Sequence, residues 1–261
     1  MKPLRHLTTE EAGALRGVCF DLDDTLLDHG RLREETYSAL FRLVEAGLVL
    51  YGVTGRPAGW GEVLARLFPV KAIVSENGAI VCALEAGRVV VRDSVDADTR
   101  RQRDARLRDL LVGFREHFPD FEPADDVRAR ISDRTFDIGE FRQVPPARVA
   151  EATRYLSDRG ARVFVSSVHL HATFDYADKA SGAVQLLARD SGLDATRVRH
   201  AFAYLGDSEN DAACFAAFHV SIGVANLRGR PTLRPRYVTA APMGRGVAEA
   251  AAAILSLRRK L

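Results

Sequence analysis

The chain has 261 residues, 47% of them hydrophobic and 28% charged, and a net charge of +2. That is ordinary for a soluble globular protein with room for one large domain or two modest ones, and so small a net charge gives no reason to expect nucleic-acid or membrane binding. Three cysteines without a pairing pattern, no signal-type N-terminus and no run of membrane-span length point to a reducing, cytoplasmic setting. Residues 1–16 are a polar lead-in, with a short helix expected after Thr8-Thr9-Glu10-Glu11. Val18–Leu22 reads as a buried strand, 28–31 as a turn, and Leu32 to Ala46 as a helix stopped by Gly47. Leu48–Val53 is a second apolar strand, followed by Thr54-Gly55-Arg56-Pro57 and a helix from Trp60 to Leu67. A third strand over Pro69–Ser75 runs into Glu76-Asn77-Gly78. Strands and helices alternating through short loops predict a doubly wound parallel sheet.

The pattern then changes. Ala79–Ala83 and Arg88–Arg92 read as a β-hairpin, Asp98–Phe118 as an arginine-rich helix, 128–141 as short alternating stretches, and Pro145–Arg159 as a helix. Ala161–Val168 and His169–Tyr176 follow as strands. This middle part predicts an α+β insertion with antiparallel strands. Parallel α/β patterning resumes with a helix over Ser181–Ser191, a strand over Ala201–Leu205, Gly206-Asp207-Ser208-Glu209-Asn210-Asp211, a strand over His219–Val224 and a closing helix over Gly246–Leu257. The expected division is a discontinuous core of 1–82 and 177–261 around an inserted unit of 83–176.

Four polar signals fall at or near the carboxyl ends of core strands, the edge where open α/β sheets bind ligands. The first strand ends in Asp21-Leu22-Asp23-Asp24-Thr25. Buried carboxylates need a neutralising partner. A carboxylate can attack phosphorus, which suits Asp21, and Asp23, two residues on, points the same way and can carry protons. The Thr54 hydroxyl, with the backbone amides of Gly55 and Arg56 before a helix start, suits a phosphoryl oxygen. Lys179, one of four lysines in the chain, can hold a nucleophile and a phosphoryl group together against their repulsion. Asp207 and Asp211 offer the hard oxygens that suit Mg²⁺. Each signal alone is weak; their order and placement are not.

In that order, DxDxT, threonine, lysine and GDSxND resemble the haloacid dehalogenase superfamily of phosphatases. The insertion between the second and third motifs, and Ser75-Glu76-Asn77-Gly78-Ala79, resemble subclass IIB, with its α+β C2B cap and its Cof-type, sucrose-, trehalose- and mannosyl-3-phosphoglycerate-phosphatase members. The resemblance implies a Rossmann-like core. It makes Asp21 the nucleophile and a metal ligand, and Asp23 the acid/base and a metal ligand through its backbone carbonyl. Thr54 and Lys179 hold the phosphoryl group, Asp207 binds Mg²⁺ directly, Asp211 binds it through water, and Asn210 lies near the phosphoryl oxygens. Asp24 is left a helix-cap or supporting role. Arg56 and Asn77, near core strand ends, are expected to touch substrate ahead of any one of the insertion's Arg128, Arg130, Arg134, His169 or His171. The expected activity is Mg²⁺-dependent hydrolysis of a small phosphorylated sugar or sugar acid by a monomer or homodimer. The alternatives are a phosphotransferase or mutase, and a non-catalytic sugar-phosphate-binding protein on the same scaffold.

Overall fold

The computed structural model describes residues 1–166, 168–227, 229 and 231–260. Its strands are β1 (Lys2–Pro3), β2 (Gly17–Phe20), β3 (Val49–Val53), β4 (Ala72–Ser75), β5 (Ile80–Glu85), β6 (Arg88–Asp93), β7 (Asp133–Asp137), β8 (Arg162–Val165), β9 (His169–Thr173), β10 (Phe202–Gly206), β11 (Val220–Gly223) and β12 (Tyr237–Val238). The helices are α1 (Thr9–Ala14), α2 (Glu34–Glu45), α3 (Ala58–Leu67), α4 (Ala97–His117), α5 (Pro146–Asp158), α6 (Lys179–Ser191), α7 (Ala195–Ala201), α8 (Ala212–Ala217) and α9 (Met243–Arg258). Among the described residues, no helix is long and apolar enough to cross a membrane.

Nine strands form one sheet in the order β1-β12-β11-β10-β2-β3-β4-β5-β6. From β1 to β4 all neighbours are parallel. The side chains of β2 alternate between the sheet's faces as the two-residue period requires. Val18 and Phe20 join a core built with α1, α2, α3 and α9. Cys19 joins a second core, with α6, α7 and α8. Both faces are therefore covered, and the near-continuous apolar runs of the parallel strands follow from that. From β2 the chain winds outward to β3 and β4. It later returns to lay β10 on the other side of β2, so the switch in winding falls between β2 and β10.

The β5–β6 hairpin extends this main sheet instead of opening the insertion: β4 pairs with β5 in antiparallel register, Ala72 opposite Ala83 and Ser75 opposite Ile80. The inserted unit thus leaves the main sheet after Asp93, about ten residues later than the expected boundary at 83. A hairpin is legible locally, but its partner strand is a non-local choice. The unit has its own three-stranded antiparallel sheet, β7-β9-β8. Phe136, Leu170 and Ala172 point from it into a core with Leu107, Leu111 and Phe114 of α4 and Leu156 of α5. The intervening Asp133, Thr135, His169 and His171 point the other way, yet are buried. Arg100 of α4 ties the unit's two connections together: its Nε and Nη2 donate to Asp93 at 2.7 Å each, and its Nη1 to Asp175 at 2.5 Å.

Candidate active site

Parallel pairing brings the two acidic motifs together. Phe20 lies opposite Leu205 in the β2–β10 ladder, and the Asp21 amide still donates to Leu205 O at 2.9 Å. Asp21 and Asp207 therefore leave the sheet side by side. Carboxylate oxygens of Asp21, Asp207 and Asp211 lie within 4.8 Å of one another. Lys179 Nζ sits among them, 2.8 Å from Asp21 Oδ1 and 2.9 Å from Asp211 Oδ1. Close backbone approach sets its place: a Cβ on Gly182 would meet Gly78 Cα at 2.5 Å, so α6 rests directly on the loop after β4. Burial would push the Lys179 ammonium down, but Asp21 and Asp211 outweigh it and hold it above the usual lysine value.

The three acids are not equivalent. Asp211 is saturated. It accepts from Lys179, from Tyr204 Oη at 2.7 Å, from the Asp207 amide at 3.0 Å and from the Ser208 amide at 3.1 Å. Asp207 Oδ1 accepts from Thr25 Oγ1 at 3.1 Å, while the buried Asp207 Oδ2 has no hydrogen-bond partner among the described residues. Burial, then Asp211, push the Asp207 carboxyl up to about 7 against the pull of Lys179. Burial also raises Asp21, with Asp211, Asp207 and Asp23 adding to it and Lys179 opposing. A hard cation fits this cluster: it would pair with the orphaned oxygen and neutralise the excess charge.

Asp24 adopts φ +55°, a left-handed conformation that Asp tolerates. It caps no helix, since the next begins at Glu34; its carbonyl accepts from Asn226 Nδ2 at 2.8 Å. Thr54 is fully buried, and its Oγ1 accepts from the Arg56 amide at 3.0 Å. Asn77 Oδ1 accepts from Asn210 Nδ2 at 3.0 Å, and Asn77 Nδ2 is a buried donor without a partner among the described residues.

The expected substrate contact Arg56 has no donor to spare. It forks onto Asp23, Nε to Oδ2 at 2.9 Å and Nη2 to Oδ1 at 2.8 Å. Its other edge meets Glu140 of the inserted unit, Nη2 to Oε1 at 2.8 Å, and its plane stacks on Trp60 at 4.6 Å. His169 Nε2 stands 2.9 Å from Glu140 Oε2, off the line of a hydrogen bond. Contact with His169, then Arg56, holds the Glu140 carboxyl down at about 2 against burial.

A cavity of about 20 Å³, room for about one water, remains between the strand ends and the inserted unit. Asp21, Asp23, Gly55, Arg56, Lys179, Asp207 and Asn210 line it from the main sheet, and Ser166, His169 and His171 cover it. Thr54, Asn77 and Asp211 stand behind these. Of the insertion's arginines named from sequence, none lines it: Arg130 binds Asp126 and Asp133 and donates to Gly55 O at 2.9 Å, Arg134 pairs with Asp104, and Arg128 is exposed. Of the arginine-rich stretch 227–235, Arg228 and Arg230 lie outside the described residues.

Sequence reasoning missed Glu76, which fastens the two units. Its carboxylate accepts from Ala58 N at 3.0 Å, Ile131 N at 2.9 Å, and Ser132 N and Oγ at 2.6 Å each. The one signal was a charge placed directly after an apolar strand. Glu76→Gln puts an amide among four donors, so stability should fall by about 1–3 kcal/mol. Hydrogen exchange at 131–132 should quicken with it; unchanged exchange there would show that Glu76 does not hold the cover shut.

A family model described as haloacid dehalogenase-like hydrolase matches residues 18–103. A phosphoglycolate phosphatase of Methanothermobacter thermautotrophicus is 28% identical over 240 residues, covering 90% of this chain and 97% of that protein. One from Archaeoglobus fulgidus is 28% identical over 238 residues, covering 90% and 95%. Among solved structures, a Thermoplasma acidophilum protein is similar with TM-score 0.70 at 18% identity, over 93% of this chain and 99% of that one. A sugar phosphatase of haloacid dehalogenase subclass IIB gives TM-score 0.63 at 16% identity, over 93% and 99%. The family match falls on the segment carrying the first two strand-end motifs, and the likeness of fold runs on through the inserted unit and back into the main sheet: the chain is similar to haloacid dehalogenase-like hydrolases in its first strand-end motifs and in its fold.

Proposed function

We propose that the chain is a Mg²⁺-dependent phosphomonoesterase acting on a short phosphorylated acid, with phosphoglycolate the first candidate. The observation that carries the reading is the pairing of a lysine-held Asp21 with the orphaned Asp207 Oδ2 beside it. Residues 94–178 act as the cap. Asp21, Asp207 and the Asp23 carbonyl would hold Mg²⁺, with Asp211 contributing through water. Once bound, the ion neutralises charge on the phosphoryl oxygens and the attacking carboxylate.

Asp21 attacks phosphorus, and the bond to the ester oxygen breaks as Asp23 gives that oxygen its proton. An aspartyl-phosphate remains on Asp21. Asp23 then takes a proton from water, which attacks the same phosphorus and releases phosphate. Lys179 holds Asp21 and the phosphoryl group together through both steps, joined by the Thr54 hydroxyl, which the Arg56 amide orients, the Gly55 amide and Asn210. Arg56, forked onto Asp23, fixes the carboxylate's orientation. Asn77 Nδ2 is a further donor without a partner among the described residues.

One support favours a short acid over a sugar: both curated relatives above are named for phosphoglycolate. In a phosphate-release panel with Mg²⁺, kcat/KM for phosphoglycolate should exceed that for hexose 6-phosphates and trehalose 6-phosphate by about 10⁴-fold, the scale of a site that hydrogen-bonds a group the competitor lacks. Faster turnover of a hexose phosphate would sink the choice of substrate. Transfer of the phosphoryl group to an added alcohol in preference to water would sink the hydrolase reading.

A further inference from the structure

Arg56 contacts three carboxylates, and they are held unequally. Asp23 is held in the turn after β2, bridged to Leu27. Asp126 is only 3.4 Å from Nη1 and is already gripped by Arg130 through Nε at 3.1 Å and Nη2 at 3.2 Å. Glu140 comes from the loop after β7, whose amides at Gly139, Glu140 and Phe141 turn around Asp137. Its side chain is 21% exposed and meets Arg56 and His169. The buried His169 Nε2, on a side chain that lines the cavity, has no aligned hydrogen-bond partner among the described residues. Glu140 is thus the partner free to leave, and its departure would uncover a guanidinium edge and an imidazole next to Asp21 and Lys179.

We infer that Arg56 and His169 form a subsite for the substrate's carboxylate, filled in the closed, substrate-free protein by the chain's own Glu140. The inference rests on the short-acid reading above. One guanidinium edge cannot satisfy two carboxylates at once, so the incoming acid displaces Glu140 and takes over its contacts. The subsite joins one residue from each unit, so an acid that fills it also draws the cap onto the core, whereas a phosphate ester without a carboxylate leaves Glu140 in place.

The test compares phosphoglycolate with p-nitrophenyl phosphate, which has no carboxylate, in the native chain and in Glu140→Gln. The ratio of KM values, phosphoglycolate over p-nitrophenyl phosphate, should fall about three- to tenfold in the variant, because a neutral amide competes less well for the cation than a carboxylate does. Glycolate should inhibit p-nitrophenyl phosphate hydrolysis at correspondingly lower concentration. Glu140→Ala should move both in the same direction, and His169→Gln in the opposite one. An unmoved or raised ratio in a chain that hydrolyses phosphoglycolate overturns this inference alone. A native chain that hydrolyses p-nitrophenyl phosphate but not phosphoglycolate overturns the short-acid reading and the subsite with it.

Discussion

Asp21→Asn should fold as the native chain does and release phosphate about 10⁵-fold more slowly, the scale seen when a covalent nucleophile is removed. The amide oxygen can still accept from Lys179, which lies 2.8 Å from the native Oδ1, so the loss is of nucleophilicity and not of geometry. The substitution removes one of several buried negative charges, easing repulsion from Asp207 and Asp211, while Lys179 keeps Asp211 as a partner. The thermal midpoint should therefore stay within a few degrees of the native one. Asp23→Asn should cost less, about 10²- to 10⁴-fold, because it removes proton transfer and one arm of the Arg56 fork but leaves the nucleophile in place. That loss should shrink with p-nitrophenyl phosphate, whose leaving oxygen needs little protonation. An Asp21→Asn chain within tenfold of native activity on both esters would remove Asp21 from the chemistry.

The ordering of these two acids was legible because strand, turn and charge are local features. An apolar run that stops at Asp21 announces a strand end, and alternation places Asp23 on the same side. A parallel sheet placed Asp21 and Asp207 at one rim, and the resemblance implied that they share a metal; the β2–β10 adjacency that brings them together is a non-local choice. The ties between main sheet and cap were not legible. Glu76 reaches Ile131 and Ser132, Arg130 reaches Gly55, and Glu140 reaches Arg56; no periodicity encodes partners so far apart. The arginines of the insertion misled for a related reason. Charge alone made Arg130 and Arg134 candidates for substrate, yet each is consumed by an aspartate of the same unit. Tyr204 was hidden differently: it sits within an apolar strand, and only its hydroxyl, 2.7 Å from Asp211, separates it from ordinary core.

Removing divalent cations should reduce phosphate release by at least about 10³-fold, since little else at this site can neutralise a phosphoryl group facing several carboxylates. The sharper test is stability, because it separates Asp207 from Asp211. Asp207 titrates near 7 in the folded chain against an ordinary value of 3.8. A folded pKa raised this way means that the metal-free protein is stabilised by a bound proton at low pH and loses that stability as pH climbs from about 4 through about 7. Mg²⁺ must replace the proton, so its effect should grow over the same window. At a tenfold excess over Kd, the thermal midpoint should rise by about 2–5 °C near pH 7.5 and scarcely at all near pH 5. Asp207→Asn should abolish that rise and yet stabilise the metal-free chain at neutral pH by about 1–4 kcal/mol, because it deletes a buried charge with one unpaired oxygen. Asp211→Asn should do the reverse. Its oxygens are filled by Lys179, Tyr204 and the amides of Asp207 and Ser208, and breaking that set costs about 3–5 kcal/mol with or without metal. A Mg²⁺ response that survives in Asp207→Asn, or one equally large at both pH values, would show that the cation sits elsewhere.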